Sequence, residues 1–297
     1  MACLRQGGFK VTKPNNIRNY YFLAALTVFG DTALALSFRK NTADDIIGIT
    51  LALLLSATLT FFIKWVTDAL ALAKKLPKNL LSLWGGLCAV LLLLFSAVLT
   101  LMRFSNYAAE IMLGGVGVGI PALSFGALFV YTGLKGEKRI LKLSALFFAV
   151  VIFFVVTTFV FSARFMSLKY LIPYKEPTVY GSFSAFWSLF PSLILSGIAL
   201  TVICRDVKKR HFPVFYAIGG GLTLVCAVGT LGIFGSELAE SLDFPYSRAV
   251  ETASLGHVFS RLDGLLYGAC FLTCGIKISA SISAAAGIIR SSLKKYC

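Results

Sequence analysis

Two charged residues of opposite sign interrupt apolar segments of this chain. Asp31 stands in the stretch TVFGDTALAL, and Lys277 stands in the stretch CGIKISASIS. A charge deep in a bilayer costs about 2.5–3.5 kcal/mol on insertion scales, so such residues are usually paired and functional. Asp31 and Lys277 are therefore the first candidates for an internal ion pair, for proton coupling or for ligand binding.

The depths of the two charges match if their segments cross a membrane in opposite directions. At about 1.5 Å per residue, Asp31 lies ~16 Å from the inner end of its segment and Lys277 lies ~18 Å from the inner end of its own. This similarity predicts that the two side chains neutralise each other inside the bundle. The alternative is that Lys277 extends to the inner interface while Asp31 is protonated.

Two segments carry residues that could interrupt a membrane helix. Gly30, Asp31 and Thr32 offer a flexible backbone and side-chain oxygens, and Pro191 removes a helical hydrogen bond close to Ser188. Broken helices near the midplane are where secondary transporters bind ligands and ions. These five residues are the predicted ligand-binding set, and the alternative is that both sites are ordinary kinks packed by their neighbours.

Arg261 and Asp263 stand at the start of the last apolar segment, in the stretch SRLDGLL. At positions i and i+2 of a helix they point to different faces, so they do not simply pair with each other. They are interpreted either as interfacial anchors or as a gate, in which one of them bridges to a neighbouring helix.

The composition defines the class of protein that must position these residues. Of 297 residues, 58% are hydrophobic and 14% are charged, the mean hydropathy is +0.84, and the net charge is +15. Soluble domains have about 25% charged residues, so the chain is predicted to be an all-α integral membrane protein. The positive charge is attributed to cytoplasmic loops and not to nucleic-acid binding.

Little in the sequence indicates catalysis. Seven cysteines fall mostly in or beside apolar segments, where they are interpreted as packing residues. The two histidines, His211 and His257, have no serine or cysteine partner at motif spacing. We therefore expect no enzyme activity, no metal and no cofactor.

Eight apolar segments predict eight membrane spans in one polytopic domain over residues 1–297. Basic residues concentrate in the connections that are cytoplasmic if the N-terminus is cytoplasmic, which also places the C-terminus inside. The N-terminus lacks the short apolar core of a signal peptide, so we expect the first span to be retained. The predicted spans lie near residues 20–38, 45–64, 81–102, 111–134, 141–161, 182–204, 212–234 and 261–289.

Two connecting or glycine-rich stretches also carry predictions. GGVGVG at 114–119 has no preceding strand, so it is interpreted as small-residue helix packing inside the fourth span and not as a phosphate loop. The stretch SLDFPYSRAVETASLG predicts a short helix on the outer surface, and Phe244-Pro245 should separate this helix from the seventh span.

Several motifs taken together resemble the spore germination permease family, the GerAB-type B subunits of nutrient germinant receptors. The resemblance covers most of the chain and depends on the order and spacing of its motifs. The stretches that carry it are GTLGIFGSELAESLDFPYSRAVETASLGHVFSRLDGLLYGACFLTCGIKIS, YTGLKGEKRILKLSALFFAVVIFF and LKYLIPY. That family belongs to the amino acid–polyamine–organocation transporter superfamily.

The resemblance implies a leucine-transporter-like inverted-repeat fold, in which helices 1, 3, 6 and 8 enclose a ligand. By position, Gly30, Asp31 and Thr32 would lie in broken helix 1, and Ser188 and Pro191 would lie in helix 6. Arg261, Asp263 and Lys277 would belong to helix 8. The family usually has ten spans, so eight spans imply an incomplete second repeat. Asp31 also departs from the small or apolar residue expected there.

Three functions remain open on this interpretation. The first is the membrane subunit of a germinant receptor that binds a small nutrient, such as an amino acid, and signals to receptor A and C subunits. Its location would be the spore inner membrane or the bacterial cell membrane. The second is a secondary amino-acid transporter in which Asp31 or Lys277 supports proton coupling. The third is a truncated assembly subunit that binds nothing itself.

Overall fold

The computed structural model describes residues 17–39, 42–72, 80–171, 177–205, 207–252 and 262–296. These residues are helical and contain no β-strand, which confirms the all-α class. The α-helices of this described part are α1 (Ile17–Ser37), α2 (Ala43–Leu72), α3 (Leu80–Tyr107), α4 (Gly119–Leu134), α5 (Glu137–Ala163), α6 (Val179–Ile203), α7 (Phe212–Ser241), α8 (Pro245–Thr252) and α9 (Leu262–Tyr296).

Seven of these helices are long and apolar enough to cross a membrane: α1, α2, α3, α5, α6, α7 and α9. The predicted fourth span is different, because α4 has only 16 residues. That length corresponds to about 24 Å, which is less than the ~30 Å of a typical hydrocarbon core. The helices agree with an integral membrane protein, and α4 is an apolar but short member of the bundle.

The predicted start of the fourth span is wrong. Residues Ala108–Met112 form a π-helical turn that continues α3, and α4 begins only at Gly119. Gly114 and Gly115 have φ angles of 63° and 93°, a left-handed conformation that glycine adopts without steric cost. No other atom lies within 4 Å of a Cβ built at either glycine. These glycines therefore form a turn, and the helix-packing interpretation of this stretch is not supported.

Helices α1 and α9 form the centre of the bundle. Every residue of α1 from Leu23 to Ser37 is buried, and α1 packs against α5, α6, α7 and α9. A helix that is apolar on all sides is typical of such a position. The outer helices instead expose large apolar side chains, such as Leu54, Leu123 and Phe153, as lipid-facing surfaces do.

The short helix predicted after the seventh span is present as α8, and it begins at Pro245. Phe244 has a φ of 55°, which turns the chain sharply before the proline. This helix does not simply lie on the surface, because Tyr246, Ala249 and Val250 are buried. It packs against α7 and α9 and so closes one end of the bundle.

Helix α7 is kinked at Gly235, whose φ and ψ of 70° and 171° are not helical. This region of backbone conformation is essentially restricted to glycine. A Cβ built on Gly235 would lie 3.4 Å from a ring carbon of Tyr170, which is ordinary contact. Glycine is therefore favoured at position 235 by the backbone conformation and not by a lack of space for a side chain.

We expect Gly235→Ala to lower the free energy of unfolding by about 1–3 kcal/mol, because alanine is strained in that conformation. The matched control is Gly221→Ala in the same helix, where no other atom lies within 4 Å of the new methyl group. That control should stabilise the helix by about 0.5–1 kcal/mol. Unfolding by sodium dodecyl sulfate in mixed micelles measures both values. Equal free energies of unfolding for Gly235→Ala and Gly221→Ala would contradict the non-helical conformation at Gly235.

Candidate functional site

Asp31 and Lys277 form an ion pair in the middle of the bundle. The Lys277 Nζ donates to Asp31 Oδ1, and the two side chains are 0% and 3% exposed for Lys277 and Asp31, respectively. This contact confirms the pairing predicted from charge and depth. Removing both charges from water is costly, and only good geometry with additional hydrogen bonds offsets that cost.

Two serines of α6 supply those additional hydrogen bonds. Ser192 Oγ donates to Asp31 Oδ1 at 2.8 Å, and Ser196 Oγ donates to Asp31 Oδ2. Lys277 Nζ also donates to Ser192 Oγ at 2.9 Å. We call these four residues, Asp31, Ser192, Ser196 and Lys277, the Asp31 cluster. It joins α1, α6 and α9 at a single polar point in an apolar bundle.

We expect Ser196→Ala to lower the free energy of unfolding by about 1.5–3 kcal/mol, since a hydrogen bond to a buried charge is lost. The matched control is Ser56→Ala, because the buried Ser56 Oγ has no hydrogen-bond partner. Removing that hydroxyl should be neutral or stabilising. Detergent unfolding curves of the two variants should separate, and coincident curves would contradict the role of Ser196.

The two residues that flank Asp31 are not in the cluster. Thr32 Oγ1 donates to the backbone oxygen of Val28 at 2.9 Å and contacts Thr223 Oγ1 of α7. A Cβ built on Gly30 would lie 3.1 Å from the backbone of Thr273. Gly30 therefore permits close packing of α1 against α9, and Thr32 links α1 to α7.

The expected breaks in the first and sixth spans are absent. Helix α1 continues through Gly30, and α6 continues from Val179 to Ile203 with Pro191 inside it. Tight packing around α1 leaves no room for unwinding. The proline removes one hydrogen bond, to the carbonyl of Trp187, but the rest of the helix is maintained. Asp31 is therefore presented by a regular helix.

Ser188 and Pro191 of α6 differ in their surroundings. Ser188 Oγ donates to the backbone oxygen of Ala185 at 2.9 Å and accepts from Arg39 Nε at 3.3 Å. Pro191 is exposed. The structure therefore places Ser188 in the lining of a cavity at one end of the bundle and leaves Pro191 out of that lining.

A cavity of about 580 Å³ opens at the end of the bundle where α1 finishes and α2 begins, which we call the upper end. Helices α1, α2, α3, α6 and α7 all contribute to this upper cavity. Its volume is within the range of small-molecule sites. Its polar and charged lining residues are Arg39, Thr42, Asp44, Asp45, Arg103, Asn106, Tyr180, Ser184, Ser188 and Glu240.

A line of serines on α6 connects the upper cavity with the Asp31 cluster. Ser184 and Ser188 line the cavity, and Ser192 and Ser196 bind Asp31. The spacing of four residues places all four on one helix face, with about 6 Å between successive positions. This line places hydroxyl groups at successive turns of α6 from the cavity to the buried ion pair.

The side chains of the two proposed gate residues of the last span, Arg261 and Asp263, are outside the described part of the structure. Arg261 lies outside the described residues, and Asp263 is in the first turn of α9, where the side chain is not described. Another ion pair, between Arg39 Nη1 and Asp45 Oδ1 at 3.0 Å, stands at the upper cavity. The sequence interpretation missed this pair because it joins the ends of two different helices.

The opposite end of the bundle, where α1 begins, is held by other polar contacts. Lys64 is 3% exposed, donates to the backbone oxygen of Arg205 at 2.8 Å and pairs with Asp68 at 3.0 Å. Tyr21 of α1 forms a hydrogen bond with Nδ1 of His211. These contacts connect α1, α2 and the start of α7 at this lower end.

A comparison of the sequence with known protein families gave no match, and a comparison with curated proteins gave none either. The arguments for a function therefore depend on the Asp31 cluster and the upper cavity.

Proposed function

We propose that this protein is the membrane subunit of a receptor that binds a small nutrient, of the kind found in spore nutrient-germinant receptors. The observation that carries the proposal is the Asp31 cluster, a buried ion pair whose α6 serines continue the line of serines that lines an open cavity. Charged groups inside a membrane protein typically mark ligand and ion routes. Receptor A and C subunits would be its partners.

The arrangement that we propose is leucine-transporter-like. Helices α1, α3, α6 and α9 are the first, third, sixth and eighth in the order of predicted spans, and all four are in mutual contact. This supports a ligand site between them. Because α1 and α6 are continuous, the ligand would be held by side chains that line the upper cavity, such as Ser188, and not by unwound backbone.

The proposed orientation places the upper cavity outside the cell or the spore core, with both termini in the cytoplasm. Basic residues at the lower end, including Lys64, Arg205, Lys208 and Lys209, support it through the tendency of cytoplasmic loops to be positively charged. Glu240 and the pair of Asp44 and Asp45 are at the upper end.

The experiment is a thermal-shift screen of the purified protein in detergent against the common amino acids, nucleosides and sugars. We expect one nutrient to raise the unfolding temperature. We expect a smaller shift in the Asp31→Asn/Lys277→Met double variant, which removes both buried charges and so leaves neither unpaired. If no compound shifts a folded sample, the nutrient-binding proposal is wrong and a non-binding assembly subunit is favoured.

A second candidate function is a secondary transporter, and the buried acid–base pair favours it specifically. Asp31 could alternate between Lys277 and a transported proton, as intramembrane acids do in proton relays. Uptake of the stabilising nutrient into proteoliposomes separates the two functions. Uptake driven by a pH gradient and lost in the double variant would indicate a transporter, and binding without uptake would indicate a receptor.

A further inference from the structure

Most of the charged side chains in the upper cavity are already bound to other groups of the protein. Arg39 pairs with Asp45 and also donates to Ser184 and Ser188. Asp44 accepts from the backbone nitrogen of Thr178 at 2.7 Å and from its hydroxyl at 2.8 Å. These groups hold the rim of the cavity together.

Two charges of opposite sign remain. Arg103 of α3 makes a single hydrogen bond within the described part of the chain, from Nη2 to the backbone oxygen of Ser188 at 3.5 Å. A guanidinium has five N–H donors, so most of its capacity is unused. Glu240 of α7 also lines the cavity, and its carboxylate has no ion-pair or hydrogen-bond partner among the described residues.

We propose that the upper cavity binds a small zwitterion, with its carboxylate on Arg103 and its ammonium group on Glu240. The inference depends on the proposed function only in that the bound molecule is a nutrient. Arginine binds carboxylates through two parallel hydrogen bonds, which fix orientation as well as affinity. Arg103 and Glu240 do not pair with each other, so both groups remain available to a ligand placed between them.

The apolar part of such a ligand has suitable neighbours in the same cavity. Phe38 and Tyr180 line it beside the charged groups, and Asn106 stands one turn after Arg103 on α3. Aromatic side chains beside directed polar groups are typical of small-molecule sites. A ligand held this way would join the upper ends of α3 and α7, directly above the serines that lead to Asp31.

The test uses the twenty common L-amino acids, each added alone to the purified protein in detergent, with the unfolding temperature as the readout. The best stabiliser is then compared with its amide, which lacks the carboxylate, and with its des-amino acid, which lacks the ammonium group. We expect both analogues to bind about 10- to 100-fold more weakly, because each leaves one charge of the site unpaired.

Matched variants locate the site. Arg103→Gln and Glu240→Gln should each weaken binding of the same amino acid by about 10- to 100-fold. The controls are Arg164→Gln, at the exposed end of α5, and Glu237→Gln, one turn before Glu240 on α7 and outside the cavity lining. Both controls should bind like the unmodified protein. Unfolding temperatures without ligand verify that each variant is folded.

The outcomes distinguish this inference from the proposed function. If a nucleoside or sugar binds and no amino acid does, the zwitterion site is wrong but nutrient binding stands. Equal binding by the unmodified protein and both glutamine variants also overturns only the site. If the amide and the des-amino acid bind as well as the amino acid, Arg103 and Glu240 do not bind the charged groups of the ligand, and the zwitterion site is wrong. No binding by any compound overturns both proposals.

Discussion

Asp31→Asn is expected to lower the free energy of unfolding by about 3–5 kcal/mol, the usual cost of breaking a buried ion pair from one side. The amide cannot neutralise Lys277, which is fully buried and would keep its charge beside neutral acceptors such as Ser192 Oγ. The cost arises from this uncompensated charge and not from a change in shape, because asparagine and aspartate have nearly the same volume.

The double variant Asp31→Asn/Lys277→Met tests that explanation. Replacing a whole buried pair by groups of similar volume is often neutral, so the second substitution should recover much of the lost stability. The control is Glu251→Gln, which breaks the exposed pair between Arg248 and Glu251. Exposed pairs contribute about 0–1 kcal/mol, so this variant should remain close to the unmodified protein.

Unfolding in mixed micelles gives the four free energies of the double-mutant cycle. A double variant that is no more stable than Asp31→Asn would contradict a direct coupling between Asp31 and Lys277. Lys277→Met alone should also be less stable than the double variant, because it leaves the carboxylate of Asp31 buried with two neutral donors, Ser192 and Ser196, among the described residues.

The buried ion pair could be predicted from the sequence because the physical constraint on it is strong. A charge inside an apolar segment must find a partner, and one acid and one base stood at matching depth. The contribution of α6 to the Asp31 cluster was only partly predicted. The sequence interpretation did not assign Ser192 and Ser196 to the site, although the recurrence of serine at 184, 188, 192 and 196 marks one face of α6.

Other features depended on information that an apolar pattern does not contain. The start of α4 could not be predicted from the sequence, because GGVGVG is as compatible with packed helices as with a left-handed turn. The upper cavity was missed because charges at helix ends are ordinarily interfacial anchors. Only the packing of five helices shows that Arg103 and Glu240, far apart in sequence, line the same space.

Gly48→Leu is the second substitution with a large expected effect, because the backbones of α2 and α6 come close together at Gly48. A Cβ built there would lie 2.5 Å from the backbone oxygen of Ser182 and 2.8 Å from the backbone nitrogen of Phe186, and it would also meet Ala185. Small residues allow such contacts between membrane helices. A leucine must push the two helices apart, which should cost about 3 kcal/mol.

The control for this substitution is Gly85→Leu in α3, where the glycine is exposed and no other atom lies within 4 Å of the new Cβ. Leucine there should be neutral or stabilising by about 0.5–1 kcal/mol, because it favours the helix more than glycine does. Gly48→Ala should already be destabilising, since backbone atoms cannot move aside as a flexible side chain can. An unfolding midpoint for Gly48→Leu equal to that of Gly85→Leu would show that α2 and α6 are not in close contact. A lowered midpoint accompanied by weaker nutrient binding would instead show that the position of α6, and with it the line from Ser188 to Ser196, depends on this contact.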